Sequence, residues 1–175
     1  MNSHAKAESI KAVVMDVDGV LTDGGIGYGC GSEDEIKFFN VRDGLGIKLL
    51  MRNGITTAIL SGRASKANRR RAQELGIQLV IEECHDKCQG LLQICSTLGI
   101  SPEECMYIGD DLIDLAPLKL AGIGVAVGDA VDEAKLCADW ITKCHGGKGA
   151  VREAATRLLR EKGVWNNIVN SYLKD

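Results

Sequence analysis

The chain has 175 residues, a formal net charge of −3 and 45% hydrophobic residues. This is the length of one domain with a complete core, since a domain near this size buries roughly 70% of the surface its unfolded chain exposes, and the charge offers no overall basic field for nucleic acid. No apolar run is as long as a membrane span, and the opening MNSHAKAESIK lacks the apolar core of a secretory leader, so we expect a soluble, cytoplasmic chain with no membrane or nucleic-acid partner.

The first element is KAVVMDVDGVLTDG, a strand over residues 12–17 that runs into Asp16, Asp18 and Asp23. Carboxylates crowded at a strand exit raise one another's pKa unless a cation lies between them, which makes this stretch a candidate metal site. Residues 24–41, GGIGYGCGSEDEIKFFNV, read as a β-hairpin inserted after that strand, with its turn at residues 29–34. Its glycines do not make a dinucleotide fingerprint, because Ser32 or Cys30 stands where the third glycine belongs.

Further strands are expected at residues 56–60, 78–81, 105–108, 124–127 and 139–142. Helical spacing recurs between them, as in Leu91, Leu92, Cys95 and Leu98 before Gly99, and in Val151, Ala154, Ala155, Leu158 and Leu159 before Gly163. Ser101, Pro102 and Glu104 form a capping-box pattern ahead of the strand CMYI. Alternation of this kind predicts an α/β fold, a doubly wound parallel sheet joined by crossover helices.

The seven cysteines are odd in number and mostly among apolar neighbours, which suits reduced thiols. Cys84, His85 and Cys88, taken with Cys144 and His145, match no common zinc spacing. GGKGA around Lys148 lacks the Ser or Thr of a phosphate loop and reads as a flexible loop.

A second acidic cluster, YIGDDLID, follows the strand at 105–108 with Asp110, Asp111 and Asp114. In open parallel sheets ligands bind beyond the carboxyl ends of the strands, where strand order reverses. Asp16, the backbone carbonyl of Asp18 and Asp110 then suit one face of an octahedral magnesium site, and hard oxygen ligands argue against zinc. Ser61 and the Gly62 amide stand at another strand exit, able to donate to phosphoryl oxygens, and Lys87 adds positive charge.

With these four strand exits in order, the sequence resembles the haloacid-dehalogenase-like phosphohydrolases. DVDGVLTD is similar to their first motif, Ser61 to the second, Lys87 to the third and GDDLID to the fourth. FNVRDGLGIKLL, LSGRASKANRRRA, GDDLIDLAPL and HGGKGAVRE resemble the 3-deoxy-D-manno-octulosonate 8-phosphate phosphatases within that superfamily, from about residue 10 to 161.

The resemblance implies Asp16 as nucleophile and Asp18 as general acid and base, with Ser61 and Lys87 on the phosphate. It makes Asp110 a magnesium ligand supported by Asp111 or Asp114. Asn40, Val41, Arg42, Asp43 and Gly44 match positions that contact substrate in the family, as do Lys48, Arg63 and Arg71. It also implies one HAD-like domain over residues 1–175, with the hairpin insert at about 24–41, an acid sugar phosphate as substrate, and a capless homotetramer whose subunits close one another's active sites.

Two departures touch the sugar pocket, Ala64 after Arg63 and EECHD before Lys87. Competing readings are a phosphatase of nine-carbon acid sugar 9-phosphates and a receiver-like phosphoacceptor domain. The receiver needs its adjacent acids on the first strand, whereas here the adjacent pair comes late, at Asp110 and Asp111.

Overall fold

In a computed structural model of the chain, which describes residues 3–29 and 35–173, eight strands follow one another: β1 (Ala12–Met15), β2 (Gly27–Tyr28), β3 (Glu35–Ile36), β4 (Thr56–Leu60), β5 (Leu79–Ile81), β6 (Cys105–Gly109), β7 (Ile123–Ala126) and β8 (Trp140–Ile141). Six of them form one parallel sheet in the order β5-β4-β1-β6-β7-β8. β1 and β6 are buried along their whole length, so both can be continuous apolar runs without alternation. β2 and β3 pair antiparallel apart from that sheet. The expected turn of this hairpin falls largely on residues 30–34, outside the described residues.

The helices are α1 (Ser3–Ser9), α2 (Val41–Arg52), α3 (Lys66–Leu75), α4 (Lys87–Leu98), α5 (Leu115–Leu120), α6 (Asp132–Cys137), α7 (Ala150–Glu161) and α8 (Trp165–Tyr172). The chain winds outward from β1 through β4 to β5, then returns to β6 on the other side of β1 and winds outward again. Because parallel crossovers are right-handed, this reversal puts α2 and α3 on one face and α4 and α5 on the other. α7 returns to pack on α2, while α5 packs between α4 and α6. The doubly wound sheet read from the sequence is the observed one, and its switch point lies at β1.

Some boundaries differ from the sequence reading, for identifiable reasons. β1 stops at Met15 because the amides of Val20, Leu21 and Thr22 converge on the Val17 carbonyl at 3.2, 2.9 and 3.0 Å and turn the chain back. α4 starts at Lys87, ahead of its first periodic leucine, because the Asp86 carboxylate caps it by accepting from the Gln89 amide at 3.0 Å. Gly99 ends it in the left-handed region, as the pattern predicted. The capping box of Ser101 and Glu104 is present, on the 3₁₀ turn Pro102–Glu104.

The six described cysteines are free thiols. The segment 145–149 is a packed loop rather than the flexible one expected: the Gly147 amide donates to the Val20 carbonyl at 2.9 Å, and a Cβ on Gly146 would lie 1.7 Å from the Gly19 carbonyl oxygen.

Candidate active site

β1 lies between β4 and β6, with Met15 in register with Ile59 and Ile108. That register brings the exits of three strands together at the switch point. Asp16 follows β1, Ser61 follows β4 and Asp110 follows β6, while Lys87 arrives from the other side as the first residue of α4. Among the described residues, carboxylate oxygens of Asp16, Asp110 and Asp114 come within 4.8 Å of one another, and neither the cysteines nor the histidines form a comparable group.

Lys87 organises the cluster. Its side chain is fully buried, and Nζ lies 2.6 Å from Asp16 Oδ2 and 2.7 Å from Asp114 Oδ1. Burial pulls the ammonium toward its neutral form, but Asp16 and Asp114 outweigh that and hold its pKa above the ordinary value. The other oxygen of Asp16 accepts from the Val17 amide at 2.6 Å.

Asp110 differs from Asp16 and Asp114, since its Oδ1 is buried with no hydrogen-bond partner among the described residues. Gly19, at φ +88, makes room for it, because a Cβ there would lie 2.0 Å from Asp110 Oδ2. A buried anionic oxygen without a donor, beside a second carboxylate, is a site made for a hard cation. Magnesium fits this all-oxygen set, with Asp16 and Asp110 as the carboxylates that would hold it.

Without a cation, burial and the neighbouring charges of Asp16 and Asp114 push the Asp110 pKa up to about 8. Burial raises Asp16 to about 6 against the pull of Lys87. A carboxyl raised in the folded state stabilises the fold fully below its ordinary value of 3.8, and that contribution is lost as pH rises through about 6 and 8. A divalent cation reverses the loss, and binding at a hundredfold excess over Kd stabilises by about 2.7 kcal/mol. We therefore expect magnesium to raise the melting temperature more at pH ~8 than at pH ~5. Melts across pH with and without magnesium measure this, and equal increments would remove the cation from the Asp16–Asp110 pair.

The structure redistributes several residues that the sequence grouped here. Asp18 lies past the end of β1, which stops at Met15. Its carboxylate instead pairs with Lys37 Nζ at 2.7 Å, which confines any part it takes at the cation to its main-chain carbonyl. Asp111 is exposed and turns away, its carboxylate accepting from the Leu112 amide at 2.7 Å. Asp114 is saturated by four donors, so it anchors Lys87 instead of offering an oxygen to a metal. The Ser61 hydroxyl accepts from the Arg63 amide at 3.2 Å and donates to the Arg63 carbonyl at 3.0 Å, folding the turn that carries Gly62.

The positions on α2 divide as well. Asn40 caps the helix, accepting from the Arg42 amide at 2.8 Å and donating to the Gly147 carbonyl at 3.2 Å. Asp43 is buried, and its Oδ1 accepts from the Arg152 amide at 2.7 Å and so caps α7 across the helix pair, while its Oδ2 has no hydrogen-bond partner among the described residues. Gly44 lets Arg71 approach, since a Cβ there would meet Nη2 at 2.6 Å. Arg71 donates to the Asn40 carbonyl at 3.2 Å and lies over the Phe39 ring. Val41, Arg42 and Lys48 are exposed on α2, outside the acidic cluster.

Two groups escaped the sequence reading. Lys37 directly follows β3, its side chain fully buried between Asp18 and Glu35, and a cation amid EIKFF was the available signal. Glu35 also holds Arg63, at 2.8 Å. A cleft of about 500 Å³ opens beside this network, between the hairpin and α3, with Lys37, Arg70 and Arg71 on its wall.

The geometry agrees with what comparison finds. The model of the haloacid dehalogenase-like hydrolase family matches residues 79–154. The 3-deoxy-D-manno-octulosonate 8-phosphate phosphatase of Haemophilus influenzae is 44% identical over 158 residues, 90% of this chain and 87% of its own length, and that of Escherichia coli is 42% identical over 91% and 84%. The crystal structure of the Moraxella catarrhalis phosphatase in complex with magnesium, phosphate and KDO superposes with a TM-score of 0.92 at 41% identity, covering 97% of both chains. The cobalt-bound Haemophilus enzyme gives 0.91 at 42% identity, over 97% of this chain and 99% of that one. Similarity of this extent, over the strand exits that carry Asp16, Ser61, Lys87 and Asp110, means that the chain belongs to the haloacid dehalogenase-like hydrolases, in the family of the 3-deoxy-D-manno-octulosonate 8-phosphate phosphatases.

Proposed function

We propose that the chain is a magnesium-dependent phosphomonoesterase acting in the cytoplasm as a single catalytic domain, and that it removes the phosphate of 3-deoxy-D-manno-octulosonate 8-phosphate through an aspartyl-phosphate on Asp16. The observation that carries the reading is the convergence of Asp16, Lys87 and the unpartnered Asp110 oxygen at the switch point of the sheet. No described helix is long and apolar enough to cross a membrane.

Asp16 attacks phosphorus through a carboxylate oxygen, the bond from phosphorus to the sugar oxygen breaks, and Asp18 gives that oxygen its proton. Water then attacks the acyl phosphate, Asp18 takes a proton from it, and Asp16 is released with inorganic phosphate. Lys87 and the Ser61 turn with its Gly62 amide bind phosphoryl oxygens throughout. Asp16, Asp110 and the Asp18 carbonyl would hold magnesium, which would offset the negative charge that the carboxylates and the phosphate bring together. Steady-state phosphate release from the eight-carbon and the nine-carbon sugar phosphates, measured side by side, tests the reading. Preference for the nine-carbon ester would replace the substrate, and release from neither would refute the function.

The carboxylate of the sugar belongs with Arg63, whose guanidinium is half exposed and meanwhile held by Glu35 at 2.8 Å. Substrate must displace that internal carboxylate, so the net gain is less than that of a fresh bidentate pair. Arg63→Ala is expected to lower kcat/KM on the acid sugar about 10-fold while leaving an aryl phosphate within about twofold. Equal losses on both substrates would put Arg63 at the phosphate or in the structure.

The assembly proposed is a homotetramer built through the hairpin. β2 and β3 form a two-stranded ribbon apart from the main sheet, and a ribbon of that size is too small to be stable alone. Tyr28 at 80% exposure, Phe38 at 78% and Val41 at 81% make an apolar surface that subunit pairing would cover.

A further inference from the structure

The fully buried carboxylate of Asp114 collects four donors. Oδ1 accepts from Lys87 Nζ at 2.7 Å and from the Tyr107 hydroxyl at 2.6 Å, while Oδ2 accepts from the amides of Asp110 at 2.9 Å and Asp111 at 3.2 Å. The lysine and the two amides belong to the phosphate site and the loop that carries Asp110. Tyr107 belongs to neither, for it lies in the middle of β6 with no solvent exposure. A phenylalanine would fill the same space, so packing alone does not account for the hydroxyl. The backbone also makes way for this contact, since a Cβ on Gly109 would lie 2.5 Å from Asp114 Cβ and 2.6 Å from its Cγ.

We propose that Tyr107 is a positioning residue for the phosphatase reaction: its hydroxyl locks Asp114 in the orientation that holds Lys87 against Asp16 and keeps Asp114 itself off the cation. Tyrosine and lysine meet the same oxygen, so turning that oxygen toward Asp16 and Asp110 breaks both bonds together. The three carboxylates lie close enough to share one ion, and an unrestrained Asp114 would join it and release Lys87. The inference rests on the reading of Asp16 as nucleophile.

The test is Tyr107→Phe, with kcat and KM measured on the acid sugar phosphate and on an aryl phosphate, at saturating magnesium and well below the melting temperature. Because Lys87 serves the phosphoryl group and not the sugar, kcat is expected to fall about 10- to 100-fold on both substrates with KM within about twofold. In a Lys87→Ala background, followed by single turnover of the aryl phosphate, adding Tyr107→Phe is expected to cause no further loss. Tyr107→Met, which fills the slot without a hydroxyl, is read in the same way should the phenylalanine variant not fold. Unchanged kcat with only a lower melting temperature would overturn the proposal, and so would an equal loss with and without Lys87. A wild-type protein that releases phosphate from neither substrate would instead refute the functional reading, and this inference with it.

Discussion

Asp16→Asn is expected to lower turnover at least about 10³-fold on every phosphate ester, while its melting temperature stays within about 5 °C of the parent. The amide is not a nucleophile, and no other described carboxylate can replace it: Asp110 is turned to the cation site, Asp114 is saturated with donors and Asp18 is held by Lys37. Opposing effects keep the fold near its parent stability. Lys87 Nζ and the Val17 amide each use one oxygen of Asp16, and asparagine offers only one, so one donor loses its acceptor. Against that, removing an anion relieves Asp110, whose pKa its neighbour helps to raise. Retention of more than a few per cent of turnover, measured by phosphate release with the folded fraction checked by circular dichroism, would sink the assignment of the nucleophile.

Phe38→Asp is expected to convert the proposed tetramer to smaller species and to lower sugar-phosphate turnover about 100-fold, with aryl-phosphate turnover falling far less. Asp16, Lys87 and Asp110 all come from one chain, so the phosphoryl chemistry survives separation of the subunits. What a monomer lacks is cover over the sugar, because among the described residues only the hairpin stands between β1 and α2, and the cleft beside it stays open. The structure separates Phe38 from its neighbour. Phe38 is on the surface, whereas Phe39 packs against the core and carries Arg71 over its ring, so a charge at Phe39 would damage the monomer itself. Light scattering at assay concentration decides the matter, and a fully active monomer would refute the assembly.

The fold was legible because its signals are local. Short apolar runs and glycine-stopped helical periods occur in an order that only a parallel sheet with crossovers accommodates, and β4 appears at the boundaries expected from sequence. The site was legible in its strand exits for the same reason: Asp16, Ser61 and Asp110 each follow an apolar run directly. The hairpin was found but its ion pair with the site was not, since nothing near Lys37 in the sequence announces that it reaches Asp18, nineteen residues earlier.

What the sequence by itself determined was the class of chemistry: acids at two neighbouring strand exits, a hydroxyl and a lysine at two others, and hence a cation and a phosphate. What only the tertiary structure decided was the division of labour among those acids. Asp16, Asp18, Asp110, Asp111 and Asp114 are alike as residues, and spacing alone cannot say which oxygen keeps a free lone pair. Folding assigns it through donors that come from afar, Lys37 to Asp18 and Lys87 with Tyr107 to Asp114, and leaves one oxygen of Asp110 with none. The physical reason is that a buried carboxylate takes its role from the hydrogen bonds and charges around it, and those are set by contacts between segments that the order of residues does not display.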